Sequence, residues 1–362
     1  MTLGIDALQE TRLAPPRPLI EGSAAWRGSD LRHREAEWIY SLSSQELAEI
    51  EEATAAIRAR GLDIAEIRRR DFPLPTLAPV LDRLRDEILN GRGFVLIRGL
   101  RVEDRPIADS AVSYWGIGTY FGNGRSQNAM GHLLGHVRDL GLSTKDTSVR
   151  TYQTTERQHF HTDSCDIVGL LCLKTARSGG LSSIVSSMAI YNAMATRRPD
   201  LVRRLFRPFA TDRRGEVPEG KRPFFEIPVY NDYEGYLSVL YSRPYINSGQ
   251  RFPDAPRLAR EDVEALDYFD MLANDADLRL DMTLQPGDMQ FLHNHTILHD
   301  RTAFEDWPEP DRKRHLLRLW LAAPGARPLP PVYAERYGSV EIGDRGGIIC
   351  PATRLHAPLE PV

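Results

Sequence analysis

Cysteine is scarce in this chain: three residues, Cys165, Cys172 and Cys350, among 362. An odd count with no CxxC spacing excludes a disulfide framework and a zinc–cysteine cluster, and leaves reduced, mostly buried thiols. Long apolar runs are missing as well. No stretch reaches the roughly 18 residues that mark a membrane span. Met1 to Glu10 has no basic stretch followed by an apolar one, so the expectation is a cytoplasmic protein with no membrane partner. Charge of one sign is absent too, and a formal net charge of −4 makes no electrostatic case for nucleic acid. There is no Walker A sequence. The Gly116-x-Gly118 and Gly122-x-Gly124 pairs do not sit between a strand and a helix, which leaves a nucleotide reading weak. No internal repeat is visible.

What remains is ordinary globular material, 41% hydrophobic and 27% charged. Met1 to about Arg34 is rich in Pro, Arg and Gly and shows no period. The pattern Ser43-x-x-Glu46 opens a helix running towards Arg60. Thr76 is expected to cap a second helix with Leu77, Val80, Leu81, Leu84 and Ile88 on one face. Phe94 to Arg98 reads as a strand, about Ile107 to Phe121 as a helix, and Gly122 to Leu142 as a long irregular loop. From Val149 onwards the pattern is mainly β. Ile167 to Thr175 suits a strand buried on both faces. A helical insert follows from about Met188 to Phe206, and Phe224–Val229 with Tyr236–Tyr241 is expected to form a hairpin. Glu261 to Asn274 reads as a helix with Val263, Leu266 and Leu272 inward. Pro286-Gly287-Asp288 turns into Met289–Leu292, and Arg314 to Leu321 is the last strand candidate. Helices in the first third and a β core with inserts make an α+β chain.

Two segments carry chemistry. In His159-Phe160-His161-Thr162-Asp163, residues two apart share a strand face, so His161 and Asp163 could hold one metal ion. His159 shares that face and is assigned to an outer role because His161 stands nearer the carboxylate. About 130 residues downstream, His293, His295 and His299 could each supply a second imidazole. Two histidines and a carboxylate with open coordination positions are the donor set of non-haem Fe(II) oxygenases. On the last strand Arg314, Leu316, Arg318 and Trp320 share a face. Arginines on an otherwise apolar face demand an anion or hydrogen-bonding partners.

Taken in order, six short segments resemble the taurine/2,4-D dioxygenase-like (TauD/TfdA) family of Fe(II)- and 2-oxoglutarate-dependent oxygenases. They are Gly93-Phe94-Val95-Leu96-Ile97-Arg98-Gly99, His161-Thr162-Asp163, Gly179-Gly180-Leu181-Ser182, Pro286-Gly287-Asp288, His299-Asp300-Arg301-Thr302-Ala303-Phe304 and Arg314-His315-Leu316. The resemblance implies a double-stranded β-helix (jelly roll, cupin-like) core with flanking helices and helical inserts. It divides the chain into an N-terminal extension over 1–75, a dioxygenase domain over 76–323 and an extended tail over 324–362. It implies His161, Asp163 and His299 as iron ligands. Arg314 and Ser182 are implied for the distal carboxylate of 2-oxoglutarate, and Arg318 for its other carboxylate or an anionic substrate. The implied reaction consumes 2-oxoglutarate and O2, yields succinate and CO2, and hydroxylates a C–H bond of a small molecule. Retention of Asp163 speaks for hydroxylation over halogenation. Substrate contacts are expected from Ser126, Gln127, Asn128, Arg150, Tyr152 and Gln153, and a homodimer is the assembly the resemblance suggests. A metal hydrolase would leave Arg314 and Ser182 without a purpose, and a silent ligand-binding jelly roll would not need the triad.

Overall fold

The computed structural model describes residues 15–143 and 149–361; 1–14, part of the patternless N-terminus, lie outside the described residues. Eight strands make the roll: β1 Phe94–Arg98, β2 Gln158–His161, β3 Ile167–Lys174, β4 Ser182–Ser186, β5 Arg279–Met282, β6 Met289–His293, β7 Ile297–Arg301 and β8 His315–Ala322. One sheet runs β1-β6-β3-β8 and the other β5-β4-β7-β2. Alternation decides which face each residue serves. Phe94, Leu96, Val168, Leu316 and Trp320 join the apolar filling between the sheets, with Ile184 and Ile297 from the opposite side. Val95, Ile97, Leu171, Leu317 and Leu319 point the other way and pack under the helices. Strands buried on both faces read as continuous apolar runs.

The helices on the outer face are α1 Ser44–Arg60, α2 Ala78–Asn90 and α3 Ile107–Gly118. Ser43 and Glu46 close the first turn of α1 reciprocally, as their spacing predicts. Thr76 does not cap α2. The backbone N–H groups of Thr76 and Leu77 instead donate to the Glu49 carboxylate of α1, at 2.9 and 3.2 Å, so the neighbouring helix satisfies that end. Two of the matched motifs meet here: Arg98 grips Asp288 through two 2.9 Å hydrogen bonds. This fork–carboxylate pair locks β1 to the turn before β6.

Three elements differ from the sequence expectation. The segment 122–142 contains a strand, Leu134–Val137, paired with β8. Its pairing runs through backbone groups, and Gly135 leaves the space that the Gln127 side chain fills, so no alternating pattern marks it. Phe224–Pro228 pairs back onto Pro208–Asp212. The tight hairpin is Tyr230–Tyr233 with Tyr236–Val239, turned by Glu234 and Gly235 at φ 48 and 83. On the helix Arg260–Ala273, Val263 is exposed, and Ala265, Leu266, Phe269 and Leu272 face inwards. These hairpins and the helices Ser187–Arg197, Pro199–Arg204 and Arg260–Ala273 lie between β4 and β5; the Tyr230–Val239 hairpin and the three helices share a separate apolar core, and Phe225 and Ile227 pack instead with Tyr333 and Tyr337 of the tail. Among the described residues no helix is long and apolar enough to cross a membrane.

Candidate metal centre

Strands β2 and β7 lie side by side, and their register sets His161 directly opposite His299. The two rings are 4.1 Å apart between centroids. Asp163 is not on the strand: β2 ends at His161, and the carboxylate sits in the turn beyond it. Asn294 holds it there, accepting from the Asp163 N–H at 2.8 Å and donating to its carbonyl at 2.6 Å. Asp163 Oδ1 is 3.8 Å from His161 Nε2, and Oδ2 is 3.7 Å from His299 Nε2. One donor atom from each of the three lies within 4.8 Å of the others.

The hydrogen bonds set the chemistry of these donors. His161 Nδ1–H donates to the His159 carbonyl at 2.8 Å, which leaves Nε2 as a lone pair facing the other two ligands. The Gln158 amide reaches that lone pair at 2.9 Å and would turn aside for a cation. Burial, with His161 next to it, lowers the His299 imidazole to about 3, so it stands neutral, as a ligand must. Burial alone would raise the Asp163 carboxyl; Arg318, the two imidazoles and the Trp320 indole outweigh it and hold the group below the usual range. Trp320 Nε1–H donates to Asp163 Oδ2 at 2.8 Å, and Arg318 stands 3.6 Å from the same oxygen. The three side chains therefore fit a divalent cation. His293 and His295 do not join them. His293 meets Thr296, and His295 meets Asp166 at 2.9 Å. His159 is exposed and contributes its carbonyl.

Beside the triad is a pocket lined by His161, His299, Ser182, Arg301, Arg314 and Arg318, among others. Arg314 is 5% exposed, and its NH1 has no hydrogen-bond partner. Among the described residues no carboxylate pairs with it, and burial pushes the guanidinium down to about 10. The Gly179-Gly180 turn, at φ 74 and 69, brings β4 against it: a Cβ on Gly180 would sit 3.1 Å from Arg314 Nε. A buried cation with an orphaned N–H, in a pocket shared with metal ligands, fits one end of a dicarboxylate that binds through the metal at its other end. Ser182 lines the same pocket and donates to Gln290 at 3.2 Å. Arg301 was missed in the sequence. It follows His299 by two on β7 and is likewise buried, with two unpartnered nitrogens.

A second cavity, open to solvent, is lined by His161 and Asp163. Gln127, Arg150, Tyr152 and Arg318 line it; Ser126, Asn128 and Gln153 do not. Gln127 is spent on structure, taking Arg318 Nε–H at 2.7 Å and donating to the Arg318 carbonyl at 2.8 Å. Ser126 donates to the Asn128 carbonyl, Asn128 folds its own turn around Gly131 and His132, and Gln153 accepts from the Arg150 N–H. Two wall residues, Arg336 and Ile348, come from the tail, where no sequence signal marked them.

Comparison with known proteins agrees with this geometry. Residues 52–320 match the profile of the family described as "Taurine catabolism dioxygenase TauD, TfdA family". FR-33289 synthase of Streptomyces rubellomurinus is 31% identical over 86% of this chain and 92% of its own length. A taurine hydroxylase-like protein of Stachybotrys chartarum is also 31% identical, over 84% of this chain and 82% of its own. Among solved structures, the non-haem iron oxygenase OrfP with Fe and alpha-ketoglutaric acid superposes with a TM-score of 0.60 at 18% identity, covering 78% of this chain and 93% of OrfP. Asparagine oxygenase superposes at 0.62 and 15% identity over 88% of this chain and 99% of that one. These last two likenesses establish the jelly-roll fold. With a profile match over most of its length and relatives 31% identical over more than four fifths of it, the chain belongs to the TauD/TfdA family of Fe(II)- and 2-oxoglutarate-dependent dioxygenases.

Proposed function

We propose that His161, Asp163 and His299 hold the Fe(II) ion, that Arg314 and Ser182 receive the distal carboxylate of 2-oxoglutarate, and that the open cavity takes a small molecule to be hydroxylated. One observation carries this reading: three side chains converge as metal donors, and two of them, His161 and His299, line the pocket of a buried arginine that has no described carboxylate partner. With iron bound, 2-oxoglutarate and O2 supply the oxidation, giving succinate and CO2 and placing one oxygen atom in a substrate C–H bond. The protein's part is to present two imidazole nitrogens and an ionised Asp163 and to bind the co-substrate's far end electrostatically. Arg318 faces both cavities and remains the candidate for the co-substrate's other carboxylate or an anionic substrate. Arg150 and Tyr152 are the earlier substrate candidates that reach the open cavity with side chains not spent on their own loop.

The same reading takes the chain as cytoplasmic, without nucleic-acid partners and assembling as a homodimer, and keeps the division into 1–75, 76–323 and 324–362. Anaerobic addition of Fe(II) and 2-oxoglutarate tests the chemistry. The expected result is a weak visible charge-transfer band, then slow succinate release when air is admitted. An Asp163→Ala variant should lose substrate oxidation. Absence of both the band and the succinate in the wild type would sink the assignment.

A further inference from the structure

We infer that the C-terminal tail, beyond the family-matched residues 52–320, completes the substrate site, and that the substrate carries an oxyanion group held by Arg336 of the tail and Arg150. The inference rests on the oxygenase reading above. The tail is sewn to the turn that bears the metal carboxylate. Gly347 N–H donates to the Ser164 carbonyl at 2.6 Å, Arg336 Nε–H donates to Ser164 Oγ at 2.7 Å, and Ile348 N–H donates to the Ser126 carbonyl at 2.9 Å. Arg336 and Ile348 are thereby fixed as walls of the cavity that His161 and Asp163 also line.

The charge of that cavity selects its ligand. Four arginines line it, Arg150, Arg157, Arg318 and Arg336, against two carboxylates, Asp163 and Glu216. Asp163 is committed to the metal, and Arg157 already pairs with Asp300 at 2.8 Å. Glu216 takes Arg150 NH2 at 2.8 Å, which leaves Arg150 NH1 buried without a partner. Arg336 spends only Nε on Ser164, and among the described residues no carboxylate pairs with it. Two guanidinium forks from distant parts of the chain line this cavity, Arg336 with no described carboxylate partner and Arg150 with NH1 unpartnered beside its Glu216 pair. Such forks match the oxygens of a phosphonate, sulfonate or carboxylate. A substrate anchored there by its anionic end presents its carbon chain towards the triad.

Calorimetric titration of the anaerobic Fe(II)·2-oxoglutarate enzyme with propylphosphonate, propanesulfonate, butyrate and butan-1-ol tests this. At least one anion should bind roughly tenfold or more tighter than the alcohol, and the three anions identify the group preferred. Arg336→Gln and Arg150→Gln should each weaken that anion roughly tenfold, Arg336→Lys should weaken it less, and the surface variant Arg58→Gln should bind as wild type. The charge-transfer band shows that each variant still loads its co-substrate. With the band present, equal binding of alcohol and anions, no anion binding at millimolar concentration, or wild-type affinity in both Gln variants overturns the inference. Loss of the band in the wild type would instead overturn the oxygenase reading itself.

Discussion

Arg314 shows how a single buried charge can be both a cost and a function. Its guanidinium is desolvated just before the start of β8, with NH1 unpartnered. An arginine left so would be destabilising unless an anion arrives. Truncation to Met should remove a charge-assisted contact of about 1.5–3 kcal/mol, so the 2-oxoglutarate concentration that half-fills the charge-transfer band should rise roughly ten- to 150-fold. Unchanged co-substrate affinity in Arg314→Met would show that the carboxylate binds elsewhere. Trp320, two residues beyond Arg318 on the same face, acts through Asp163, donating to Oδ2 at 2.8 Å. Partners that orient a metal ligand typically contribute 10–100-fold in metal affinity. Trp320→Phe keeps the packing and loses the hydrogen bond, and an Fe(II) titration should show a weakening of about that size, with 2-oxoglutarate affinity of the iron-loaded enzyme little changed.

Among the elements, the seam between β8 and Leu134–Val137 is built on two neutral imidazoles. His136 lies 2.9 Å from the Pro358 carbonyl through Nε2 and 2.8 Å from His315 Nε2 through Nδ1. A carbonyl can only accept, so His136 Nε2 carries the proton and His315 donates to His136 Nδ1. Protonating His136 sets two N–H groups against each other. Burial, with His136 beside it, lowers His315 from 6.5 to about 3, and burial lowers His132 to about 4. Folded-state values below the unfolded value mean that the unfolded chain takes up protons first. The stability these groups contribute is present above pH 6.5 and is lost as pH falls towards 4, by up to about 1.4 kcal/mol per pH unit for each proton. Urea unfolding followed between pH 7 and 4.5 should show a midpoint falling with acid, and a flat profile would remove these histidines as its cause.

For the molecule as a whole, the unpatterned tail is tied to the centre. Arg345 is fully buried and donates to Asp166 Oδ1 at 2.8 Å and to the Arg327 carbonyl at 2.7 Å. Asp166 also meets His295 at 2.9 Å and accepts the Ala323 N–H at 3.0 Å. One carboxylate thus joins the end of β8, the β6–β7 turn and the tail, three residues from Asp163. Replacing Arg345 with Met strands a buried carboxylate, a loss of about 3–5 kcal/mol. Denaturant unfolding of Arg345→Met should show a decrease of that order, and a change under 1 kcal/mol would mean that the tail is not anchored through this pair.

The sequence by itself determined the local chemistry and most of the elements. The capping box, the doubly buried strands and the shared face of Arg314, Arg318 and Trp320 follow from periodicity, spacing and residue type, which act over a few residues; the choice of His299 beside His161 and Asp163 came from the family resemblance of the ordered motifs. Tertiary structure alone decided what depends on register and long-range contact. It set His299 opposite His161, took Asp163 off its strand and fixed it with Asn294, and turned His295 to Asp166. It also hid a strand in a glycine-rich segment and brought Arg336 from a patternless tail to the cavity wall. Those placements rest on backbone hydrogen bonds and single polar contacts between residues more than a hundred positions apart, which leave no period in the chain to read.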